Sequence, residues 1–145
     1  MKYVVLVSHG EFAPGLHKAV NMLAGEDRQD LLSTSLKNGM GADEFAENVK
    51  ALLSKLSDED EIILFADIVG GSPLATTANV IAEMGLLPRT RMIGGMNLPL
   101  VLSTVLSKDI VDDINAELDT VIIPESREGI KDFAVETDDG EDDDI

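Results

Sequence analysis

The chain has 145 residues, a formal net charge of −17 and no cysteine. This length suits one domain, and the lack of cysteine excludes disulfides, thiolate catalysis and cysteine zinc sites. The acidic charge repels nucleic acid and anionic membranes, so neither is an expected partner. The sequence has no apolar run long enough to span a bilayer and no signal-peptide pattern at its start, so we expect a cytoplasmic protein.

Apolar runs and helical periodicities alternate along the first two thirds of the chain. The runs predict strands at residues 2–7, 31–36, 62–66 and 91–93. The periodicities predict helices at 12–23, at 43–56 with Asp43 as N-cap, at 72–84 ending at Gly85, and from Asn97 or Leu98 onward. The alternation predicts an α/β fold: a single-domain, open, mainly parallel sheet with helices on both faces.

The last third of the chain is harder to assign. Residues 110–118 favour a helix, residues 121–123 suit either a last helical turn or a short strand, and Pro124 is expected to end either one. Residues 130–135 alternate weakly, as an edge strand would. Residues 136–145 are strongly acidic and favour a solvated, disordered tail. We therefore expect one domain over residues 1–135 and a tail over 136–145.

The first strand is followed by a histidine, His9, and then by Gly10 at a turn. Ligands of open α/β sheets bind beyond the carboxyl ends of the strands. An imidazole at this position suits a general base, a metal ligand or a nucleophile. The structural alternative is a histidine that merely caps a neighbouring carbonyl.

The third predicted strand ends in a similar way, at Asp67. Strands one and three of a doubly wound sheet flank the point where the strand order reverses, so His9 and Asp67 are predicted to emerge side by side. A carboxylate on one imidazole nitrogen fixes the tautomer and leaves the other nitrogen as a nucleophile. Alone, Asp67 could equally be a turn-forming or helix-capping residue.

Gly70, Gly71 and Ser72 form a glycine-rich turn into the third predicted helix. Backbone N–H groups, the helix dipole and the Ser72 hydroxyl together suit a phosphate. Gly94 and Gly95 follow the fourth strand and allow close backbone approach to the same crevice. Neither turn matches a Walker loop or a dinucleotide fingerprint. The combination predicts phosphoryl relay on His9 without a nucleotide, metal or other cofactor.

Two competing interpretations concern His17 and Asp67. His17 lies on the first predicted helix, and two histidines without cysteine make a structural zinc site improbable. Asp67 could itself accept phosphate, as in receiver domains. Such domains need an acidic pair after the first strand, whereas this chain has Ser8-His9-Gly10 with only Glu11 nearby.

Four ordered motifs resemble the IIA component of the mannose/fructose/sorbose-type sugar phosphotransferase system. They are VLVSHG at residues 5–10 with APGL at 13–16, LFADIVGGSP at 64–73, IGGMNLPL at 93–100 and SREGI at 126–130. The resemblance covers about residues 1–135. Some family members carry threonine where Ile68 stands, so a hydroxyl contact to phosphate there is missing.

The resemblance implies a phosphoryl carrier. His9 would accept phosphate from the phosphocarrier HPr and pass it to a histidine of a IIB protein or domain, and the membrane IIC and IID components would take part indirectly. Asp67 would orient His9, and Gly70, Gly71 and Ser72 would contact the phosphate. It also implies a homodimer in which the C-terminal strand, antiparallel to the others, is exchanged between subunits.

Other functions remain open at this point. The chain could be the related phosphodonor subunit for dihydroxyacetone kinase, or a non-catalytic regulatory module that docks a partner at the His9 crevice. We expect the IIB acceptor to be a separate polypeptide. Neither the sugar nor the particular IIB acceptor can be read from this chain.

Overall fold

Four parallel strands form the centre of the molecule in the computed structural model, which describes residues 1–136. The strand order is β2-β1-β3-β4, so the order reverses between β1 and β3. The strands are β1 (Lys2–His9), β2 (Leu31–Leu36), β3 (Glu61–Ala66) and β4 (Thr90–Ile93). The predicted parallel α/β sheet is confirmed, and each strand lies within three residues of its expected bounds.

Helices cover both faces of the sheet. The four long helices are α1 (Phe12–Ala24), α2 (Ala42–Leu53), α3 (Ser72–Glu83) and α4 (Leu98–Ser107). A short 3₁₀ turn, Leu87–Arg89, precedes β4. Helices α1 and α4 pack on one face of the sheet, and α2 and α3 pack on the other.

The central strand β1 shows why this sequence folds as a covered sheet. Side chains of a strand point alternately to its two faces. Val4 and Leu6 contact the α1/α4 layer, while Val5 and Val7 contact the α2/α3 layer, and all four are fully buried. A continuous apolar run is therefore what a central parallel strand requires.

The start of α2 differs from the prediction. The helix begins at Ala42 with Gly41 as its N-cap, so the expectation of Asp43 as the cap is wrong. Asp43 lies in the first turn with Glu44. Carboxylates there still interact favourably with the positive end of the helix dipole.

Residues 114–128 form a continuous helical segment. Segment α5 (Ile114–Glu117) continues through a π-helical turn, Leu118–Ile122, into α6 (Ile123–Glu128). Residues 121–123 are therefore helical, and the expectation that Pro124 ends the segment is wrong. Pro124 lies where the π-helical turn passes into α6, and its missing N–H interrupts the helical hydrogen bonds there without ending the segment. The helix predicted at 110–118 is confirmed only from Ile114 onward.

Residues 130–136 form no strand in this single chain. Ile130, Phe133 and Val135 are exposed, each by more than three quarters. Exchange of this segment between subunits needs a second chain and stays a prediction. The acidic tail predicted at 136–145 lies, apart from Glu136, outside the described residues. Within residues 1–136, no helix is both long and apolar enough to cross a membrane.

Candidate active site

His9 is the last residue of β1, and its side chain is 47% exposed. Its Nδ1 lies 2.8 Å from Oδ2 of Asp67, and its backbone N–H donates to the same oxygen at 3.0 Å. The two residues meet because β1 and β3 are neighbours in the sheet, with Val7 opposite Ala66. The predicted juxtaposition of His9 and Asp67 is confirmed.

Asp67 is held more tightly than His9 and is only 16% exposed. Its second oxygen, Oδ1, accepts a hydrogen bond from the Ile68 N–H at 3.0 Å. Burial acts to raise the pKa of Asp67, but the hydrogen bonds from His9 and Ile68 outweigh it and lower the pKa below its ordinary value. An ionised carboxylate is an acceptor, so the hydrogen bond assigns the imidazole proton to Nδ1. Nε2 then carries the free lone pair.

Gly71 lies directly against the other side of the imidazole. Its φ is +102°, and a Cβ built there would lie 3.1 Å from Cε1 and 3.4 Å from Nε2 of His9. A side chain at this position would be strained and would crowd Nε2, the nitrogen with the free lone pair. Glycine therefore brings the backbone up to Nε2.

Helix α3 begins at Ser72, immediately after Gly71. Its N-cap residue makes no side-chain cap, and Pro73 contributes no N–H. The unsatisfied N–H groups of a first turn and the helix dipole favour an anion. Gly70, Gly71 and Ser72 thus lie at the uncapped start of α3, and of these three Gly71 lies against Nε2 of His9.

Ser8 is a structural contributor that the sequence reasoning did not assign. Its side chain is completely buried, and its Oγ accepts from the Ala13 N–H at 2.7 Å and donates to the His9 carbonyl at 3.0 Å. Ser8 therefore ties the start of α1 to the end of β1. A polar residue in the last buried position of an otherwise apolar strand was the available signal.

Gly94, which directly follows β4, packs against the loop that follows Asp67. A Cβ on Gly94 would lie 2.8 Å from the backbone N and Cα of Val69. The Met96 N–H donates to the Ala66 carbonyl at 2.9 Å. The close approach expected of Gly94 and Gly95 therefore occurs at Gly94 only, and it is an approach to the loop rather than to His9; a Cβ on Gly95 would meet nothing within 4 Å.

His17 lies apart from this constellation. Its Nδ1 is 2.7 Å from the Ser33 Oγ, which joins α1 to β2, and burial lowers the pKa of His17. Within residues 1–136, no three histidine, aspartate or glutamate side chains are grouped as metal ligands. We assign His17 a structural contact.

The receiver interpretation conflicts with the geometry of Asp67. Both carboxylate oxygens of Asp67 already accept hydrogen bonds, and its side chain is mostly buried. The more exposed group is His9. An acyl phosphate on Asp67 would have to break these contacts.

Three apolar residues that are close in the chain to His9 or Asp67 are exposed. Phe12, Ile68 and Val69 are 48%, 51% and 76% exposed. Phe12 is the first residue of α1, and Ile68 and Val69 belong to the loop that follows β3. Exposed apolar residues on loops and helix starts near an exposed histidine are typical of a surface that contacts another protein.

Comparison with known proteins decides the family. Residues 3–122 match the family described as the PTS system fructose IIA component. The chain belongs to this family. It is therefore an EIIA component of the sugar phosphotransferase system (PTS), in its fructose/mannose branch, and EIIA components are phosphotransferases.

Individual relatives agree with this assignment. The chain is 31% identical over 120 residues to the PTS system fructose-specific EIIA component of Bacillus subtilis (strain 168), an alignment that covers 78% of this chain and 79% of the relative.

Two solved structures share the fold of this EIIA component. The phosphotransferase system component EIIA from Streptococcus agalactiae superposes with a TM-score of 0.75 at 23% identity, covering 91% of this chain and 97% of that one. The mannose/sorbose specific IIA subunit from Enterococcus faecalis gives a TM-score of 0.72 at 24% identity, with 93% and 97% covered.

Proposed function

We propose that this EIIA component carries a phosphoryl group on Nε2 of His9, taking it from phospho-HPr and passing it to a IIB protein. The observation that carries the proposal is the 2.8 Å contact between Nδ1 of His9 and Oδ2 of Asp67. This contact leaves Nε2 as the free nucleophile at the carboxyl edge of the sheet. The family supplies the reaction class, and the geometry supports the particular atom.

The transfer balances without any further reactant. The Nε2 lone pair attacks phosphorus, the bond from phosphorus to the donor histidine breaks, and its electron pair stays on the donor nitrogen. A donor ring protonated on its other nitrogen then leaves as neutral imidazole. The His9 ring, which keeps its Nδ1 proton, becomes a cation. The onward step to IIB reverses these events with IIB as the nucleophile.

Asp67 is proposed to hold His9 for this reaction. Its carboxylate fixes the reactive tautomer and stabilises the cationic ring of the phosphorylated state. Since Oδ2 also accepts the His9 backbone N–H and Oδ1 accepts the Ile68 N–H, the carboxylate cannot rotate freely. The imidazole is therefore held in one orientation before the donor arrives.

Gly70, Gly71 and Ser72 are proposed to contact the transferred phosphoryl group. The closeness of Gly71 to Nε2 and the uncapped start of α3 support this role. Ile68 offers no hydroxyl there. The contacts would therefore come from backbone N–H groups and the Ser72 hydroxyl.

The partners follow from the same proposal. HPr is the donor, a IIB protein or domain is the acceptor, and the membrane IIC and IID components receive the phosphate indirectly. We place the reaction in the cytoplasm, where phospho-HPr would be available. A homodimer that exchanges residues 130–135 would cover the exposed Ile130, Phe133 and Val135.

The chemical stability of the phosphoprotein tests the residue type. Phosphohistidine is lost in acid and survives base, whereas an acyl phosphate on Asp67 is lost in base. We expect protein labelled by phospho-HPr to release phosphate in acid only. Base-labile label would contradict the proposal and favour the receiver alternative.

The acceptor separates the remaining alternatives. We expect phosphate to pass from the labelled protein to a IIB protein. Transfer to a dihydroxyacetone kinase subunit instead would favour the phosphodonor alternative. Tight partner binding with no phosphoryl uptake would favour a regulatory docking module.

A further inference from the structure

Lys37 lies at the same sheet edge as His9. It directly follows β2, and the preceding residue, Leu36, is opposite His9 in the parallel ladder. The Gly10 N–H donates to the Leu36 carbonyl at 2.9 Å, which joins the two strand ends. The position of the Lys37 backbone is therefore coupled to that of His9.

A cavity of about 340 Å³ lies between these two segments. His9 and Gly10 line one side, and residues 36–40 line the other. Lys37 and His9 are thus walls of one cavity. This cavity lies on the β2 side of the His9 imidazole. Gly71 and the start of α3, which follow β3, approach the imidazole from another side.

The ammonium group of Lys37 has an exposed contact with Glu11 and a part-buried contact with Ser35. Nζ lies 3.0 Å from Oε2 of Glu11 and 3.2 Å from Oγ of Ser35. The Lys37 and Glu11 side chains are 48% and 77% exposed. Exposed pairs of this kind contribute little, about 0–1 kcal/mol. The flexible lysine stem can therefore leave Glu11 for a stronger anion at small cost.

Phosphorylation would create such an anion. A phosphoryl group brings about −1.5 to −2 charges near neutral pH, beside the ionised Asp67 and near Glu11. Asp43 and Glu44 lie in the first turn of α2, just beyond the 36–40 loop. Among the described residues that line this cavity, Lys37 is the one lysine or arginine.

We propose that the Lys37 ammonium turns from Glu11 to the phosphoryl group on His9 and stabilises the phosphorylated state. Glu11 competes with the phosphoryl group for the same ammonium. Lys37 thereby sets how strongly the protein retains phosphate relative to HPr. This inference rests on the proposed phosphorylation of His9.

The pH titration of the phosphoryl group tests the inference, because a neighbouring cation favours its dianion. The titration of phospho-His9 is followed by ³¹P NMR. We expect Lys37→Gln to raise the second pKa of the phosphoryl group by about 0.5–1 unit. Glu11→Gln, which removes the competitor, is expected to lower it. Lys37→Gln is also expected to shift the phosphoryl equilibrium toward HPr by about 3- to 10-fold.

Lys50→Gln is the matched control. Lys50 is 45% exposed and lies 3.6 Å from Glu47 on α2, so the variant removes a similar exposed pair. We expect it to leave both readouts unchanged. Equal phosphoryl pKa values in native, Lys37→Gln and Lys50→Gln proteins would overturn the role of Lys37 and leave His9 phosphorylation intact. Absence of phosphohistidine in the native protein would overturn both proposals.

Discussion

At the scale of single residues, the site depends on one carboxylate with three hydrogen bonds. Oδ2 of Asp67 accepts from both the backbone and the ring of His9, and Oδ1 accepts from Ile68. These bonds keep the pKa of Asp67 below its ordinary value despite the opposing effect of burial. The carboxylate is consequently charged throughout the neutral range. A charged acceptor is what a cationic phosphohistidine ring requires.

Asp67→Asn tests this role. The amide keeps the shape of the side chain but removes its charge, so the reactive tautomer and the cationic ring both lose their support. We expect the rate of phosphoryl transfer from phospho-HPr to fall by on the order of 100-fold or more. Rapid-quench labelling measures the rate, and circular dichroism checks the fold. A native-like rate in folded protein would show that Asp67 has no part in the reaction.

Gly71→Ala tests the close approach to the imidazole. The positive φ and the 3.1 Å approach to Cε1 predict a loss of roughly 1–3 kcal/mol of unfolding free energy, together with slower transfer. Urea denaturation measures the stability. Gly70→Ala is the stability control, since a Cβ there meets nothing within 4 Å. Equal stabilities of the two variants would contradict the geometry at Gly71.

The residue scale also shows what the sequence could predict about the site. His9, Asp67 and the Gly70-Gly71-Ser72 turn could be selected because each follows a recognisable apolar strand or starts a helix. The buried bonds of Ser8 and the contact of Gly94 with Val69 could not, because they depend on how separate loops meet in space. Lys37 also follows a predicted strand, but its place beside His9 depends on the pairing of β2 with β1, which the sequence pattern does not specify.

At the scale of elements, α1 is joined to β2 by a half-buried polar contact. Nδ1 of His17 lies 2.7 Å from Oγ of Ser33, and burial lowers the pKa of His17. A lowered pKa in the folded state means that protonation favours the unfolded chain. Stability from this residue is fully present above the unfolded value of about 6.5 and declines as pH falls toward the lower, folded pKa.

His17→Gln tests this linkage. We expect the native protein to lose unfolding free energy as pH falls below about 6.5, and the variant to lose less over the same interval. Urea denaturation at a series of pH values measures the difference. His9→Gln serves as the comparison histidine variant, because His9 does not join α1 to β2. If the unfolding free energy had the same pH dependence in the native and His17→Gln proteins, the lowered pKa of His17 would be contradicted.

The elements themselves were largely predictable. Continuous apolar strands and amphipathic helices carry strong periodic signals, and these located the four strands and the four long helices. The segment after Ser107 was less predictable, because Pro124 suits a helix start as well as a helix end. Gly41 and Asp43 both suit the N-cap position of a helix, and local preference alone does not choose between them. The sequence therefore predicted Asp43, whereas the structure has Gly41 at the N-cap.

At the scale of the whole molecule, the described chain leaves one apolar segment without a partner. Ile130, Phe133 and Val135 are 82%, 89% and 78% exposed. Strand β4 pairs only with β3 within residues 1–136, so its outer edge is open. An open edge and an exposed alternating segment are complementary in a dimer that exchanges this segment.

The oligomeric state tests that expectation. We expect light scattering to give twice the 15.5 kDa chain mass, and Phe133→Asp to shift the protein toward monomer. Met22→Asp is the control, since Met22 is also an exposed apolar residue, on α1. A monomeric native protein at every concentration would contradict the exchanged dimer without affecting the site.

The central claim is that His9 carries the phosphoryl group, and direct mapping of the phosphate tests it. Native, His9→Gln and His17→Gln proteins are incubated with phospho-HPr, and the label is quantified and located by mass spectrometry under non-acidic conditions. We predict one phosphoryl group per chain on His9 in the native and His17→Gln proteins and none in His9→Gln. Stoichiometric label in His9→Gln, or label on any other residue of the native protein, would contradict the account.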